Sequence, residues 1–378
     1  MIRREFDNSK RIFLKKCLAF SAGVVTMPGS AVINSIVYEE QSGNRRIAMF
    51  QEETPRGIMC MICPNECVLK EGEISQCNNR IVRNSKLYTM AFGNPCSVAV
   101  DPVEKKPLYH FLPGTRAFSI ATAGCNLACL NCQNWTISQI SPDKTRNYDL
   151  MPQRVVDEAT TNICRSIAYT YSEPVSFYEY VYETALLAKK AGVKNILKSN
   201  GYVNPEPLKK LCTVADAANI DLKSFNESTY IRLSGGKLQT VLDSLKTYRD
   251  SGVWLEITNL IIPTWTDKTD EIAMMCKWLG ENGFKDTPLH FSRFHPTHKL
   301  EQLPPTPVEL LRSAAKIAAG EGIRYVYIGN VPGNEQSDTN CPYCAANLIT
   351  RQGYRVTLNN ITGGKCNKCG KEIKGIWS

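Results

Sequence analysis

The chain is 378 residues long, 43% hydrophobic and 21% charged, the size of one large catalytic domain with appendages, which excludes both wholesale disorder and a multi-span membrane protein. Its formal charge of +9 comes from the two ends: residues 1–16 hold six Lys/Arg against two acids and residues 350–378 six against one, leaving the 333 residues between them neutral. A neutral body has no net attraction for nucleic-acid phosphate.

The first feature in chain order is Ser9-Lys10-Arg11-Ile12-Phe13-Leu14-Lys15, ahead of a run without charge between Cys17 and Tyr38. It resembles a twin-arginine export signal with Lys10 at the first arginine position, so residues 1–40 are read as a signal or membrane-tethering segment. Gly23, Thr26, Pro28, Gly29, Ser30 and Asn34 make the run too weakly apolar for a spanning helix. The alternative is an uncleaved basic tail on a cytoplasmic protein.

Sixteen cysteines are the next signal. Disulfide scaffolds are small, whereas this chain can bury a core without staples, so metal thiolates are favoured. Cys60, Cys63, Cys67 and Cys77 fall within 18 residues, with Cys96 nearby. They mark a Cys-rich N-terminal lobe over 45–114 able to enclose zinc or an auxiliary iron-sulfur cluster. Cys17, Cys96, Cys164, Cys212 and Cys276 read as small buried hydrophobes.

From Phe118 onward, short β-branched or apolar runs alternate with segments of helical period. Strands are predicted at 118–123, 166–171, 194–199, 218–222, 254–262, 288–294 and 325–329. Helices are predicted at 152–163, 175–191, 205–213, 237–250, 269–283 and 306–320. Such a series makes an open or closed barrel or a doubly wound sheet, and the lack of G-x-G-x-x-G after the first strand argues against a dinucleotide fold. In parallel barrels the loops after the strands build the site. Here they carry Cys125, Cys129 and Cys132, then Ser172-Glu173-Pro174, then Ser199-Asn200-Gly201-Tyr202, then Asp221 and Lys223. Glu256, Thr258 and Asn259 lie on the fifth strand, and Arg293, His295 and His298 close the sixth.

Three thiolates in C-x3-C-x2-C spacing can hold three corners of a [4Fe-4S] cluster whose usual complement is four, leaving one iron open. The alternative is a structural zinc completed from elsewhere, for instance by His295. At the far end, Cys341-x2-Cys344 and Cys366-x2-Cys369 over 335–378 form two knuckles that close a tetrahedral zinc-ribbon site, with a single rubredoxin-type iron as the alternative. Lys365, Lys368, Lys371 and Lys374 around it read as a solvated face.

The C-x3-C-x2-C motif directly after the first strand resembles the radical S-adenosylmethionine superfamily. Asp101-Pro102-Val103-Glu104-Lys105-Lys106-Pro107-Leu108-Tyr109-His110-Phe111, Cys132-Gln133-Asn134-Trp135, Ala168-Tyr169-Thr170-Tyr171-Ser172-Glu173-Pro174 and Tyr325-Val326-Tyr327-Ile328-Gly329-Asn330-Val331-Pro332-Gly333 are similar to the radical enzyme of the AmmeMemoRadiSam system. That family is related to the glycyl-radical (pyruvate formate-lyase) activating enzymes, and the likeness runs from about residue 57 to the C-terminus.

The resemblance implies a partial (βα)6 TIM-like barrel over 115–333, with Cys125, Cys129 and Cys132 on the [4Fe-4S] cluster. Glu173, beside Ser172, would meet the amino group of S-adenosylmethionine, or else cap the following helix. Asn200 and Gly201 would approach its ribose or methionine, or form a plain strand-to-helix turn. Asp221 and Lys223 would meet the cofactor carboxylate or act on substrate, or form a solvated rim pair. Asn131 stands where the superfamily often has an aromatic residue. The implied reaction is reductive cleavage of the cofactor and hydrogen-atom abstraction, an oxidoreductase chemistry. Implied partners are a donor such as flavodoxin or ferredoxin, a protein substrate, and Memo-type and AMMECR-type proteins. The rival is a non-catalytic iron-sulfur electron carrier or zinc-ribbon binding module, which would want a fourth cysteine such as Cys164.

Overall fold

The computed structural model describes residues 46–378 apart from Pro332 and Asn334, so the signal reading of residues 1–40 and Cys17 lies outside the described residues. Among these no helix is long and apolar enough to cross a membrane.

Eight strands make the central sheet: β1 (Ser97–Pro102), β2 (Arg116–Ala121), β3 (Ser166–Tyr169), β4 (Lys194–Ser199), β5 (Ala217–Asp221), β6 (Trp254–Ile261), β7 (Leu289–Arg293) and β8 (Val326–Gly329). They lie side by side in chain order, β2 to β8 parallel and β1 antiparallel on the edge. A doubly wound sheet reverses its strand order at a switch point. This one does not, so right-handed crossovers carry every helix to the same face. The expected boundary at 115 falls inside the sheet, because β1 belongs to it.

Besides a single turn at Trp135–Ser138, the helices among the described residues are α1 (Pro152–Thr161), α2 (Tyr178–Lys190), α3 (Pro205–Cys212), α4 (Glu227–Ser234), α5 (Leu238–Asp250), α6 (Thr269–Glu281) and α7 (Val308–Gly320). Six lie where helical period predicts them. The short α4 has too few turns to show a period, but its ends are marked. The Asn226 side chain accepts from Thr229 N at 3.0 Å, and Gly235 closes it with a left-handed φ of 78°.

Strand side chains alternate faces. Ile167, Tyr169, Leu197, Ala218, Ile220, Leu255, Ile257, Leu289 and Phe291 join the core shared with the helices. The alternate positions Ala117, Ala168, Ile196 and Ala217 pack instead on Val103, Leu108, Phe111 and Leu112. The segment after β1 thus plugs the inner face of the sheet.

Glu256 anchors that plug. Fully buried, its carboxylate accepts from Tyr109 N at 3.0 Å, His110 N at 2.8 Å, Trp254 Nε1 at 3.1 Å and the His290 ring at 2.6 Å. Burial alone would raise its pKa, but these partners hold it below the ordinary value. The C-terminal module, with strands Asn347–Gln352 and Arg355–Asn359, docks on the same segment. Buried Arg351 donates to Tyr109 O at 2.8 Å with its guanidinium 4.1 Å over the Tyr109 ring, and Ile376 N donates to His110 O at 2.7 Å.

Removing the carboxylate in Glu256→Ala strands two buried backbone N–H groups and His290. Urea unfolding is expected to show a loss of about 3–5 kcal/mol, with Glu256→Gln, which keeps an acceptor, losing less.

Candidate active site

The cysteine loop leaves β2 through Gly124, whose φ is 91° and where a Cβ would lie 2.3 Å from Cys77 O and 2.7 Å from Asn79 Nδ2. Only glycine fits there. Further along, Ala128 N and Leu130 N donate to Ser234 O and Leu233 O at 2.9 and 2.8 Å, using carbonyls that the end of α4 leaves free. Clamped on both sides, the loop presents Cys125, Cys129 and Cys132 to one cavity of about 1720 Å3.

Donors already surround the thiols. Cys125 Sγ receives Leu127 N at 3.5 Å and Asn200 Nδ2 at 3.7 Å, and Cys132 Sγ lies 3.1 Å from Ser138 Oγ. Burial pushes Cys125 well up and Cys129 up to about 11, the latter against the pull of Lys223. Such thiols stay protonated until a cation replaces the proton. Among the described residues, only Cys341, Cys344, Cys366 and Cys369 bring three or more ligand atoms within 4.8 Å of one another. One zinc with bonds of about 2.3 Å needs thiolates about 3.8 Å apart. The loop cysteines are not grouped in this way, and His295 is not grouped with them.

Glu173 is buried at the end of the loop after β3. It accepts from Val175 N at 3.2 Å, Ser199 Oγ at 2.7 Å and Asn200 N at 2.8 Å. It therefore caps the helical turn after Pro174 and also lines the cavity. Burial raises it to about 7, outweighing those donors. Asn200 lines the cavity too, its amide bridging Cys125 and Asn126 Oδ1, the latter at 2.9 Å. Gly201 is different: it is not among the lining residues. A Cβ there would lie 2.9 Å from Ile220 Cγ2 and 3.2 Å from Val241 Cγ1, so it serves helix-to-sheet packing.

Asp221 and Lys223 do pair, as a partly exposed couple on the cavity wall. Both line the cavity with Lys198, which donates to Asp221 Oδ1 and, at 2.7 Å, to Asn219 Oδ1, while Lys223 Nζ reaches Asp221 Oδ2 at 3.0 Å. Burial would raise Asp221, but the two lysines hold it at about 2. Two cations on one carboxylate leave this wall positive. Lys198 escaped the sequence reading, although a lysine on the inward parity of a buried strand was its signal.

The opposite wall carries Tyr171, a bulky residue at φ 63°, a conformation that needs support. Asn134 Nδ2 holds its carbonyl at 2.7 Å and its hydroxyl donates to Asp101, which also receives Lys106 Nζ at 2.6 Å and Lys105 Nζ at 2.9 Å. Four residues that line the cavity each hold a buried polar atom without a partner: Asn131 Oδ1, Ser172 Oγ, Glu104 Oε2 and Arg351 Nε. Orphaned polar atoms on a cavity wall fit a polar ligand.

Cys164 is remote. It precedes β3, at the end of the sheet opposite the cavity, with its Sγ 3.8 Å from Asn162 O, and cannot supply a fourth ligand. Cys212 and Cys276 are buried as read, and Cys96 is half-buried. Cys341 and Cys369 lie 3.7 Å apart, Cys344 and Cys366 3.8 Å, the spacing of four thiolates on one ion. The four lysines beside them are exposed.

The profile of the Radical SAM superfamily matches residues 119–278. An uncharacterized protein of Methanocaldococcus jannaschii is 44% identical over 331 residues, 87% of this chain and 98% of that one. Pyruvate formate-lyase 1-activating enzyme of Escherichia coli K12 is 27% identical over 175 residues, 45% of this chain and 71% of that enzyme. A radical SAM methyltransferase structure from Sphaerobacter thermophilus aligns over 58% of this chain and 67% of that one, at 13% identity and a TM-score of 0.47.

The raised carboxyl of Glu173 makes stability depend on pH. The folded state binds this proton more tightly than the unfolded one, so the contribution is full below about 4.5 and lost as pH rises through about 7. Glu104, raised to about 7 by burial, acts in the same window. Urea unfolding at a series of pH values is expected to show a shallower decline between pH 5 and 7 in Glu173→Gln than in the native chain.

Proposed function

Since the chain belongs to the radical S-adenosylmethionine superfamily and is related to the glycyl-radical activating enzymes, we propose that it is an activating-enzyme-like catalyst holding a [4Fe-4S] cluster on Cys125, Cys129 and Cys132. When bound there, cluster and S-adenosylmethionine supply a 5'-deoxyadenosyl radical that takes a hydrogen atom from substrate. One observation carries the reading: the three loop thiols open on the same cavity as Glu173 and the Lys198–Asp221–Lys223 group.

Each residue has a task. An ionised carboxylate offers about four acceptor sites, and Glu173 uses three on Val175, Ser199 and Asn200, leaving one for the cofactor ammonium. Above about pH 7 it carries the matching charge. Lys223 puts positive charge beside Cys129, and Lys198, which shares Asp221 with it, adds to the charge available for the cofactor carboxylate. Ser172 Oγ and Asn131 Oδ1 are unpartnered until a polar ligand arrives. With no aromatic residue at position 131, the adenine contact comes from elsewhere on the wall.

The in-order strands support a partial barrel of the radical S-adenosylmethionine type, and the sulfur spacing of the last four cysteines supports a structural zinc ribbon. The cavity of about 1720 Å3 takes cluster, S-adenosylmethionine and substrate together in this reading, with a backbone segment of a partner protein as that substrate. Memo-type and AMMECR-type proteins are the partners in this reading, with flavodoxin or ferredoxin as electron donor. The electron-carrier rival loses its fourth ligand with the position of Cys164.

Anaerobic reconstitution with iron and sulfide, followed by dithionite and S-adenosylmethionine, is expected to yield 5'-deoxyadenosine by chromatography and none from Cys129→Ala. A cluster that reduces while the cofactor survives would return the carrier reading. Metal analysis is expected to find about one zinc in the native chain, absent from Cys344→Ala, with the iron content unchanged.

A further inference from the structure

We infer that Cys60, Cys63, Cys67 and Cys77 hold a second [4Fe-4S] cluster, not zinc, set directly behind the loop of the first. Cys60 ends strand Gly57–Cys60, whose register with Val68–Leu69 puts it opposite Cys67. Its N–H donates to Cys67 O at 3.0 Å, and Cys63 sits in the intervening turn. Cys77 lies within electrostatic range of all three. Yet no three of these thiols come within 4.8 Å of one another, as the C-terminal four do. A single ion needs thiolates about 3.8 Å apart, whereas four irons at separate corners hold theirs farther apart.

A second observation points to an anionic occupant. Arg80 is 1% exposed and pairs through Nη1 with Glu179 Oε2 at 2.5 Å, but its Nη2 has no partner, and its neighbours are Cys60 and Cys77. A buried guanidinium N–H left unpaired is costly. A thiolate or sulfide of a cluster satisfies it.

The lobe touches the first site on both sides of Cys125. The Cys77 carbonyl is what Gly124 makes room for. Asn126, bonded to the Cys63 thiol, also receives Asn200 Nδ2, which contacts Cys125. Four cysteines leave no iron open to a small molecule, so the group serves electron transfer. A low-potential one-electron donor such as reduced ferredoxin is oxidised, the cluster passes from the 2+ to the 1+ state, and it returns to 2+ as the electron moves on to the first cluster. That role rests on the proposed radical chemistry; the site does not.

The test uses the full chain carrying Cys125→Ala, Cys129→Ala and Cys132→Ala, reconstituted anaerobically. It is expected to retain about four irons and four sulfides per chain and to give an electron paramagnetic resonance signal on reduction. Adding Cys63→Ala and Cys77→Ala should abolish both. Finding zinc in excess of the C-terminal ion without sulfide, or no additional metal, would overturn the inference. If the triple variant is insoluble, Cys63→Ala with Cys77→Ala in the otherwise native chain should lower iron from about eight to about four per chain, and unchanged iron is the contrary result. Failure of the radical reading would look different: full iron content with no 5'-deoxyadenosine.

Discussion

The carboxylate of Glu256 sits inside the sheet, shut from water, where an unpaired charge is not tolerated. Its remedy is to draw a loop in: the backbone N–H groups of Tyr109 and His110 donate to it alongside Trp254 and His290. That pulls Val103, Leu108, Phe111 and Leu112 onto the small side chains Ala117, Ala168 and Ala217. The plug closes one end of the inner face and leaves the other end as cavity. The same loop brings Lys106 to Asp101 of β1, which also receives Tyr171, and offers Tyr109 and His110 to the C-terminal module. One buried charge thereby couples the floor of the site, one of its walls and the terminal appendage.

Above that floor the charges are arranged before any ligand arrives. Lys198 and Lys223 share Asp221, Lys105 and Lys106 share Asp101, and Glu173 is surrounded by donors. Fixed dipoles and paired charges need little reorganisation when charge develops beside them. The thiols of Cys125 and Cys129, held protonated by burial, are groups left to change state when metal binds.

The cysteine loop is also a mechanical junction. On one side it takes the free carbonyls of α4, on the other it accepts the Cys77 carbonyl against Gly124. Neither the N-terminal lobe nor α4 can shift without moving Cys125 or Cys129. The lobe is thus part of the site's scaffold as well as a candidate metal site in its own right.

The signals legible in the sequence were short-range. C-x3-C-x2-C after a strand, the period of six helices and the two C-terminal knuckles depend on residues a few positions apart, where spacing alone limits the geometry. What tertiary structure decided was long-range. Lys198 meets Asp221 across 23 residues, Tyr109 meets Glu256 across 147 and Arg351 meets Tyr109 across 242, and no local pattern encodes such pairings. Gly201 shows the limit from the other side, since its lack of a Cβ serves Ile220 and Val241 rather than the cavity. Spacing could likewise name two sets of four cysteines but not the distances between their sulfurs. Sequence determines which ligands are available; the packing of distant segments sets how far apart they stand, and that separation is what distinguishes one metal ion from a cluster.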